Sequence, residues 1–362
     1  MKKKLMITLL SFGFLLTGCQ NSKEKGVKIT DIENVQKTTF PSSYQSSGEH
    51  TSLNINSIEP EEAYFINGTA NLMELDYEGI GRIFMPDDGT NQISEGDKLI
   101  YSNEKIKGVY KEMYTWGNAT FAYQTNEAYE LFTSISSSKK IQEYNLSEYE
   151  EKKDFSFGSE EEVFGKIMDS IEELGIRLGE NYKVDTYYLD YETLREQERH
   201  YDIDGNKQEE RYKTDWSEED NAYLFYIHQT YCGIEDYHNG DFWKGKTEDA
   251  NAQIQVIYDA GGIQYLSVKN LSNYSMGSWQ EELLDFDTIA DGVIMHFDSI
   301  LDDADYEITT AQLICDYETP NAESGSSIIP AWAFHVNVTQ EGDLPSIYEL
   351  RVNALTGEIM EN

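Results

Sequence analysis

The chain has 362 residues, of which 39% are hydrophobic and 13% aromatic, enough for about two or three domain-sized cores. Its 28 basic and 67 acidic residues give a formal net charge of −39, which argues against binding to nucleic acids or anionic lipid headgroups, because both are polyanions. The 26 tyrosines favour a β-rich fold, since tyrosine suits half-buried sheet faces.

The first twenty residues predict a secretory signal: MKKKLMITLLSFGFLLTGCQ. Three lysines precede an apolar run over residues 5–16, which is short for a membrane-spanning helix of ~20 residues, although such an anchor is the alternative. The run ends in Leu-Thr-Gly-Cys, residues 16–19, which resembles the lipobox of bacterial lipoproteins. The resemblance implies removal of the signal peptide, residues 1–18, and acyl chains on Cys19 that anchor the protein at the extracytoplasmic face of the cell membrane.

Two segments of different residue composition follow. Residues 19–50 are polar and predict a flexible tether. Residues 51–150 contain short apolar or alternating runs separated by turn residues such as Pro-Asp-Asp-Gly at 86–89, which predicts a β-rich N-terminal region.

Residues 151–275 predict a first α+β unit. Ser159 and Glu162 form a capping-box pattern. Four apolar residues then recur at helical spacing: Val163, Ile167, Ile171 and Leu174. The strand patterns YKVDTYYLDYE, AYLFYIHQTY and AQIQVIYDAGGIQYLSV come next, with a hairpin predicted at Asp204-Gly205.

Residues 276–362 repeat this order. A second apolar stripe at helical spacing comprises Phe286, Ile289, Val293, Phe297 and Ile300. The strand patterns after it, YEITTAQL and AWAFHVNVT, match YKVDTYYL and AYLFYIHQT of the first unit at several positions. The sequence therefore predicts an α+β fold of two repeated units, each one helix packed on a small antiparallel sheet, preceded by the β-rich region. Shared binary patterning without duplication is the alternative.

The last strand pattern leads into a turn at Thr356-Gly357. This ending, VNALTGEI, resembles that of PepSY-like domains, in which a helix packs on a small antiparallel sheet closed by a V-x-D-A-x-T-G-x-I hairpin. Asn353 stands where that pattern has Asp. Residues 150–362 are also similar to extracytoplasmic accessory proteins of the YycH/YycI type and to uncharacterised Gram-positive lipoproteins. The resemblance implies a non-catalytic module that inhibits, senses or binds another extracytoplasmic protein or peptide.

The sequence contains no motif for catalysis or cofactor binding: no H-E-x-x-H, G-x-S-x-G, Walker loop or G-x-G-x-x-G. The best metal candidate is residues 200–211, where Asp202, Asp204 and Gly205 suit a calcium loop. Arg211 occupies the position that needs a bidentate Glu, so a solvated hairpin is favoured. We therefore predict no catalytic residue, no metal and no cofactor.

The remaining cysteines, Cys232 and Cys315, could form a disulfide in an oxidising compartment or pack as small apolar side chains in strands. Trp332 is assigned to the core of the second unit. A sugar-stacking platform is conceivable for the other tryptophans, although burial is their commoner role: Trp116, Trp216, Trp243 and Trp279.

These patterns together predict a membrane-anchored lipoprotein that is not an enzyme and that binds or regulates a protein or peptide partner at the cell surface. The alternative is a carbohydrate- or solute-binding surface lipoprotein.

Overall fold

The structure, a computed structural model, describes most of the chain from residue 26 to residue 360. The described residues are 26–28, 35–85, 91–95, 98–103, 111–125, 128, 131, 135, 146–178, 182–198, 200, 206–237, 252–300, 302–318, 325–340 and 346–360. The predicted lipobox and Cys19 lie outside them.

The helices in these residues are α1 (Tyr77–Phe84), α2 (Glu160–Glu173), α3 (Tyr191–Gln197) and α4 (Phe286–Asp298), with short 3-10 helices at Leu146–Tyr149, Glu209–Arg211 and Glu218–Asp220. The strands in chain order are β1 (Gly26–Lys28), β2 (Thr38–Thr39), β3 (Tyr44–Ser47), β4 (Thr51–Ile55), β5 (Ile58–Glu59), β6 (Glu62–Ala63), β7 (Phe65–Leu72), β8 (Asn91–Glu95), β9 (Lys98–Asn103), β10 (Lys111–Gly117), β11 (Thr120–Thr125), β12 (Tyr182–Leu189), β13 (Ala222–Tyr231), β14 (Ile234–Asp236), β15 (Ile254–Asp259), β16 (Gly262–Val268), β17 (Ser272–Glu281), β18 (Ala304–Tyr317), β19 (Ser326–Gln340), β20 (Ser346–Asn353) and β21 (Ile359–Met360).

One sheet, which we call the α2 sheet, is antiparallel and has the strand order β8-β9-β10-β11-β16-β15-β13-β12. Its register joins distant parts of the sequence, since Tyr123 of β11 lies opposite Leu266 of β16. Helix α2 packs on one face of this sheet through Val163, Ile167 and Ile171, which are all fully buried. Burial of each such side chain stabilises the fold by about 1.5–3 kcal/mol.

A second sheet, which we call the α4 sheet, is mixed. Its antiparallel part is β18-β19-β20-β21, and β4, β5 and β14 run parallel to β18 along its other side. Helix α4 packs on this sheet through Phe286, Ile289 and Val293. Trp332, as predicted, lies in this core with no exposed surface, and its ring meets those of Phe40 and Phe286 edge-on at 4.9 Å.

A ribbon of β1, β17 and β7 pairs with the start of β19 in the α4 sheet. Strand β13 links the two sheets, because it pairs with β12 and β15 in the α2 sheet and, at its end, with β14 of the α4 sheet. Strand pairing is therefore continuous from one helix-covered core to the other.

The predicted fold class, two repeats of one helix on a small antiparallel sheet after a separate β-rich region, is wrong. The chain instead forms a large mixed arrangement of paired strands. Strands β8–β11 extend the α2 sheet, while β3–β5 extend the α4 sheet. Periodicity shows which face of a strand is buried, but it does not show which strand completes its hydrogen-bonding edge.

The helix predictions are confirmed in detail. The Ser159 hydroxyl accepts a hydrogen bond from the backbone N–H of Glu162, and the Glu162 carboxylate accepts one from the backbone N–H of Ser159, both at 3.3 Å. The second helix covers the predicted stripe except Ile300, which lies just beyond its end.

The turn at Thr356-Gly357 is also confirmed. Gly357 has a φ of 75°, a left-handed conformation that favours glycine. The Asn353 side-chain oxygen accepts from the backbone N–H of Leu355 at 2.8 Å and of Thr356 at 3.2 Å. Asparagine thus makes the same type of turn contact that an aspartate could make there.

Strands β1, β2 and β3 lie inside the segment predicted as a flexible tether, and β1 pairs with β17 so that Gly26 stands opposite Glu281. The predicted domain boundaries stay a prediction. Within the described ranges, no helix is both long and apolar enough to cross a bilayer.

Candidate functional site

Cys232 and Cys315 are free thiols buried in the structure. The Cys315 thiol lies 3.7 Å from the carbonyl oxygen of Tyr231 and 3.8 Å from that of Ile234. Burial raises the pKa of Cys232 to about 11 and that of Cys315 well above its ordinary value. Both thiols are therefore protonated and poorly nucleophilic at neutral pH. Their pairing in a disulfide stays a prediction.

The loop considered as a calcium site is described only in part, because Asp202, Asp204 and Gly205 lie outside the described residues. His200 is buried, and its Nε2 atom lies 2.9 Å from the carboxylate of Glu198. The same carboxylate accepts a hydrogen bond from the Trp216 indole at 2.9 Å. Across the described ranges, no group of three or more His, Cys, Asp or Glu side chains could hold a metal ion.

The three described tryptophans of the sugar-stacking hypothesis lie in different parts of the chain and have different surroundings. The Trp216 indole donates a hydrogen bond to Glu198, and Trp279 is half-buried on β17. Trp243 lies outside the described residues. Trp116 on β10 is 48% exposed and packs against Tyr114.

A buried polar junction holds the two sheets together. The Asp236 carboxylate, on β14, accepts hydrogen bonds from the hydroxyls of Tyr274 on β17 and Tyr317 on β18. The Gln253 side chain donates to the backbone carbonyl of Asp236 at 3.0 Å and accepts from the backbone N–H of Gln229 at 2.7 Å. These bonds satisfy polar groups that would otherwise be costly to bury, so we assign the junction a structural role.

Sequence analysis missed a titratable cluster on the face of the α4 sheet opposite α4. Arg351 donates to the Asp316 carboxylate at 2.6 Å, and the Tyr237 hydroxyl donates to Glu349 at 2.9 Å. Burial raises the pKa of Glu349 to about 7. His335, opposite Glu349 in the strand register, has its pKa lowered by burial to about 4. Strand alternation could have placed these residues on one face, but not their burial.

The edge of the α2 sheet formed by β12 is the best candidate for a binding surface. All eight residues of β12 pair with β13, from Tyr182 opposite Gln229 to Leu189 opposite Ala222. In the part of the chain that the structure describes, no strand pairs with the other side of β12. Within the described residues, the outer side of β12 is therefore open to a further strand.

The direction of the β12 backbone follows from its neighbour. The N–H of Gln229 points away from β12, since it donates to the Gln253 side chain beside β15. Because directions alternate along a strand, the N–H and C=O groups of Tyr182, Val184 and Thr186 point outward from the sheet edge.

The side chains around this edge are mainly acidic. The Asp185 carboxylate is 54% exposed and lies 3.2 Å from Nε2 of the buried His228, while the Lys183 amine is held by Glu235 at 2.7 Å.

Glu160, in the first turn of α2, accepts a hydrogen bond from the Tyr188 hydroxyl of β12 at 2.6 Å and is ion-paired with Lys152 at 2.8 Å. Two further acidic residues, Glu161 and Glu162, belong to the same turn. This charge favours a basic partner.

No family model and no curated protein matches the chain. Among solved structures, it is similar to the crystal structure of an uncharacterized protein from Eubacterium rectale ATCC 33656, with a TM-score of 0.55 and 16% sequence identity. The match covers 89% of this chain and 94% of that chain. At this identity the similarity shows the fold alone, and it supports the large mixed arrangement of strands rather than two small units.

Proposed function

We propose that this protein is a lipid-anchored extracytoplasmic protein that binds an extended, basic segment of another protein, which adds a strand to the α2 sheet along β12. The lipid anchor is inferred from the lipobox resemblance of residues 16–19. We also propose that the protein is not an enzyme, because its sequence has no catalytic motif and because the family resemblance implies a non-catalytic module.

The open edge of β12 is the observation that supports this binding mode. A peptide that adds to a sheet edge gains main-chain hydrogen bonds, and its alternate side chains meet the surfaces beside the edge. The outward groups of Val184 and Thr186 supply such bonds, and the exposed Asp185 supplies charge for a basic side chain. The net charge of −39 would also accelerate the approach of a basic partner.

Site-specific photo-cross-linking in cells tests this proposal with the full-length chain. A photoreactive residue at Asp185 should capture one recurrent membrane or secreted protein, identified by mass spectrometry. The same residue at Met295, which is 68% exposed on α4, should not capture it.

A matched pair of variants then separates backbone pairing from side-chain contact. Val184→Pro removes the outward N–H without removing a bond of the β12–β13 ladder, and edge strands tolerate proline. Val184→Ala also loses the side chain but keeps the N–H. Capture should be lost with Val184→Pro and retained with Val184→Ala. Equal capture by both variants, or equal capture from Asp185 and Met295, would contradict strand addition.

A further inference from the structure

Helix α2 runs along the edge strand of its sheet. Near the end of β12, the Tyr188 hydroxyl donates to Glu160 in the first turn of the helix. Near the start of β12, the ring centroids of Phe164 and Tyr182 are 6.1 Å apart. Glu160, Phe164 and Met168 are each four residues apart, so they form one stripe on the helix surface. This stripe of α2 therefore faces β12.

Apolar side chains beside the edge remain partly open to solvent. On α2 they are Phe164 and Met168, and on β12 they are Tyr182 and Val184. All four are half-buried and pack against the hydrophobic core under α2. We call these four residues the apolar shelf. A strand that pairs with β12 would place every second side chain on the α2 side of the sheet, where the apolar shelf lies.

The opposite side of β12 is charged. Lys183 and Asp185 occupy the alternate positions, which face away from α2. The Lys183 amine is paired with Glu235 at 2.7 Å, whereas the Asp185 carboxylate is 54% exposed. The buried His228 lies 3.2 Å from Asp185, yet its ring nitrogens form no hydrogen bond within the described residues. The Asp185 carboxylate can therefore accept hydrogen bonds from a basic side chain.

We propose that the partner segment alternates apolar and basic residues, with its apolar side chains on the apolar shelf and its basic side chains beside Asp185. This inference rests on the proposed strand addition at β12, and it adds the residue pattern that the edge selects. Residues directly opposite each other in paired strands share a face of the sheet. Partner residues opposite Tyr182 and Val184 thus meet the apolar shelf, and the residue opposite Asp185 meets its carboxylate.

Charge and apolar surface together decide between possible occupants. An acidic segment would be repelled by Asp185 and by the acidic first turn of α2. A second copy of this chain would bring a further net charge of −39 to the edge. A segment of basic and polar residues would pair with Asp185 but would gain no free energy from burial of the apolar shelf. The alternating segment is the occupant that uses both sides of the strand.

Fluorescence anisotropy of the full-length chain in detergent tests this pattern with three labelled octapeptides. The first alternates lysine and valine, and the second has serine in place of every valine. The third has the composition of the first in the repeated order Lys-Lys-Val-Val. The first peptide should bind about tenfold more tightly than either of the others, because it alone can bury valines on the apolar shelf while its lysines lie beside Asp185.

Four variants separate the two sides of the strand. Phe164→Ala should weaken binding of the lysine–valine peptide about fivefold and leave that of the lysine–serine peptide unchanged. Met168→Gln, which keeps the side-chain length and a good helix former, should act in the same direction. Asp185→Asn should weaken both peptides about threefold, and less at high salt. Glu307→Gln is the matched control, since it removes an exposed carboxylate of the α4 sheet and should leave all affinities unchanged.

Far-ultraviolet circular dichroism checks that each variant is folded. The alternating pattern is overturned if no peptide binds, if the three peptides bind equally, or if neither Phe164→Ala nor Met168→Gln weakens the lysine–valine peptide. Strand addition itself survives that result when Val184→Pro abolishes capture in cells. Capture and peptide binding that both persist in Val184→Pro would overturn both proposals. A dimer that Val184→Pro dissociates, seen by sedimentation, would overturn the partner assignment in favour of a second copy.

Discussion

Glu349 and His335 offer a quantitative test of the α4 sheet, because they lie opposite each other on β20 and β19. Burial is the first cause of both pKa displacements: that of Glu349 rises from 4.5 to about 7, and that of His335 falls from 6.5 to about 4. In both residues the charged form is disfavoured by poor solvation. Their effects on stability nevertheless have opposite signs.

The folded pKa of Glu349 lies above its unfolded value, so its contribution to stability is fully present below pH 4.5 and is lost as the pH rises to about 7. The folded pKa of His335 lies below its unfolded value, so its contribution is present above pH 6.5 and is lost as the pH falls to about 4. At about 1.4 kcal/mol for each tenfold change in proton affinity, each effect amounts to about 3 kcal/mol. In the native chain the two effects largely offset each other.

Substitution of one residue should expose the effect of the other. We expect the free energy of unfolding of Glu349→Gln, relative to the native chain, to increase by about 3 kcal/mol between pH 4.5 and pH 7.5. The free energy of unfolding of His335→Gln, relative to the native chain, should decrease by a similar amount over the same pH range. Urea unfolding followed by tryptophan fluorescence measures both, with Glu307→Gln, an exposed carboxylate on β18, as the control for loss of a charge.

Two results would refute this reasoning. One is a difference in the free energy of unfolding, between the Glu349→Gln variant and the native chain, that changes by less than about 1 kcal/mol from pH 4.5 to pH 7.5. The other is a change of the same sign in both variants, since burial displaces an acid and a base in opposite directions.

Three further predictions concern the cores. Ser159→Ala should destabilise the fold by about 1 kcal/mol, measured by urea unfolding, because it removes the capping box of α2. Trp332→Ala should lower the free energy of unfolding by about 3–5 kcal/mol in the same assay, because the side chain is fully buried. It should also lower the midpoint of thermal unfolding. Cys232 and Cys315 should not react with a thiol reagent in the native chain and should both react in urea, which absorbance of the released thiolate reports.

The sequence predicts the local elements well, because their signals are local. The capping box at Ser159 and the spacing of Val163, Ile167 and Ile171 specify the start and the buried face of α2. Strand β12 begins at Tyr182, as the pattern YKVDTYYLDYE predicts, and ends at Leu189, since Asp190 caps α3. These features depend on residues a few positions apart, so no knowledge of the remaining chain is needed.

The arrangement of the strands could not be predicted in this way. Tyr123 lies opposite Leu266, and Leu53 lies opposite Ile308, and no pattern within either strand identifies its partner. The candidate binding edge depends on this arrangement. Within the described residues, β12 pairs with β13 alone, and β13 has its other neighbour in β15.

The two sheets differ in what they can offer to a partner. The α4 sheet and its adjoining ribbon receive the first strands of the chain, since β4 and β5 run beside β18 and β1 pairs with β17. If Cys19 carries the lipid, about seven residues separate it from Gly26, which spans at most roughly 25 Å when extended. The start of β1 then lies within that distance of the membrane surface, whereas the candidate binding edge on β12 belongs to the other sheet.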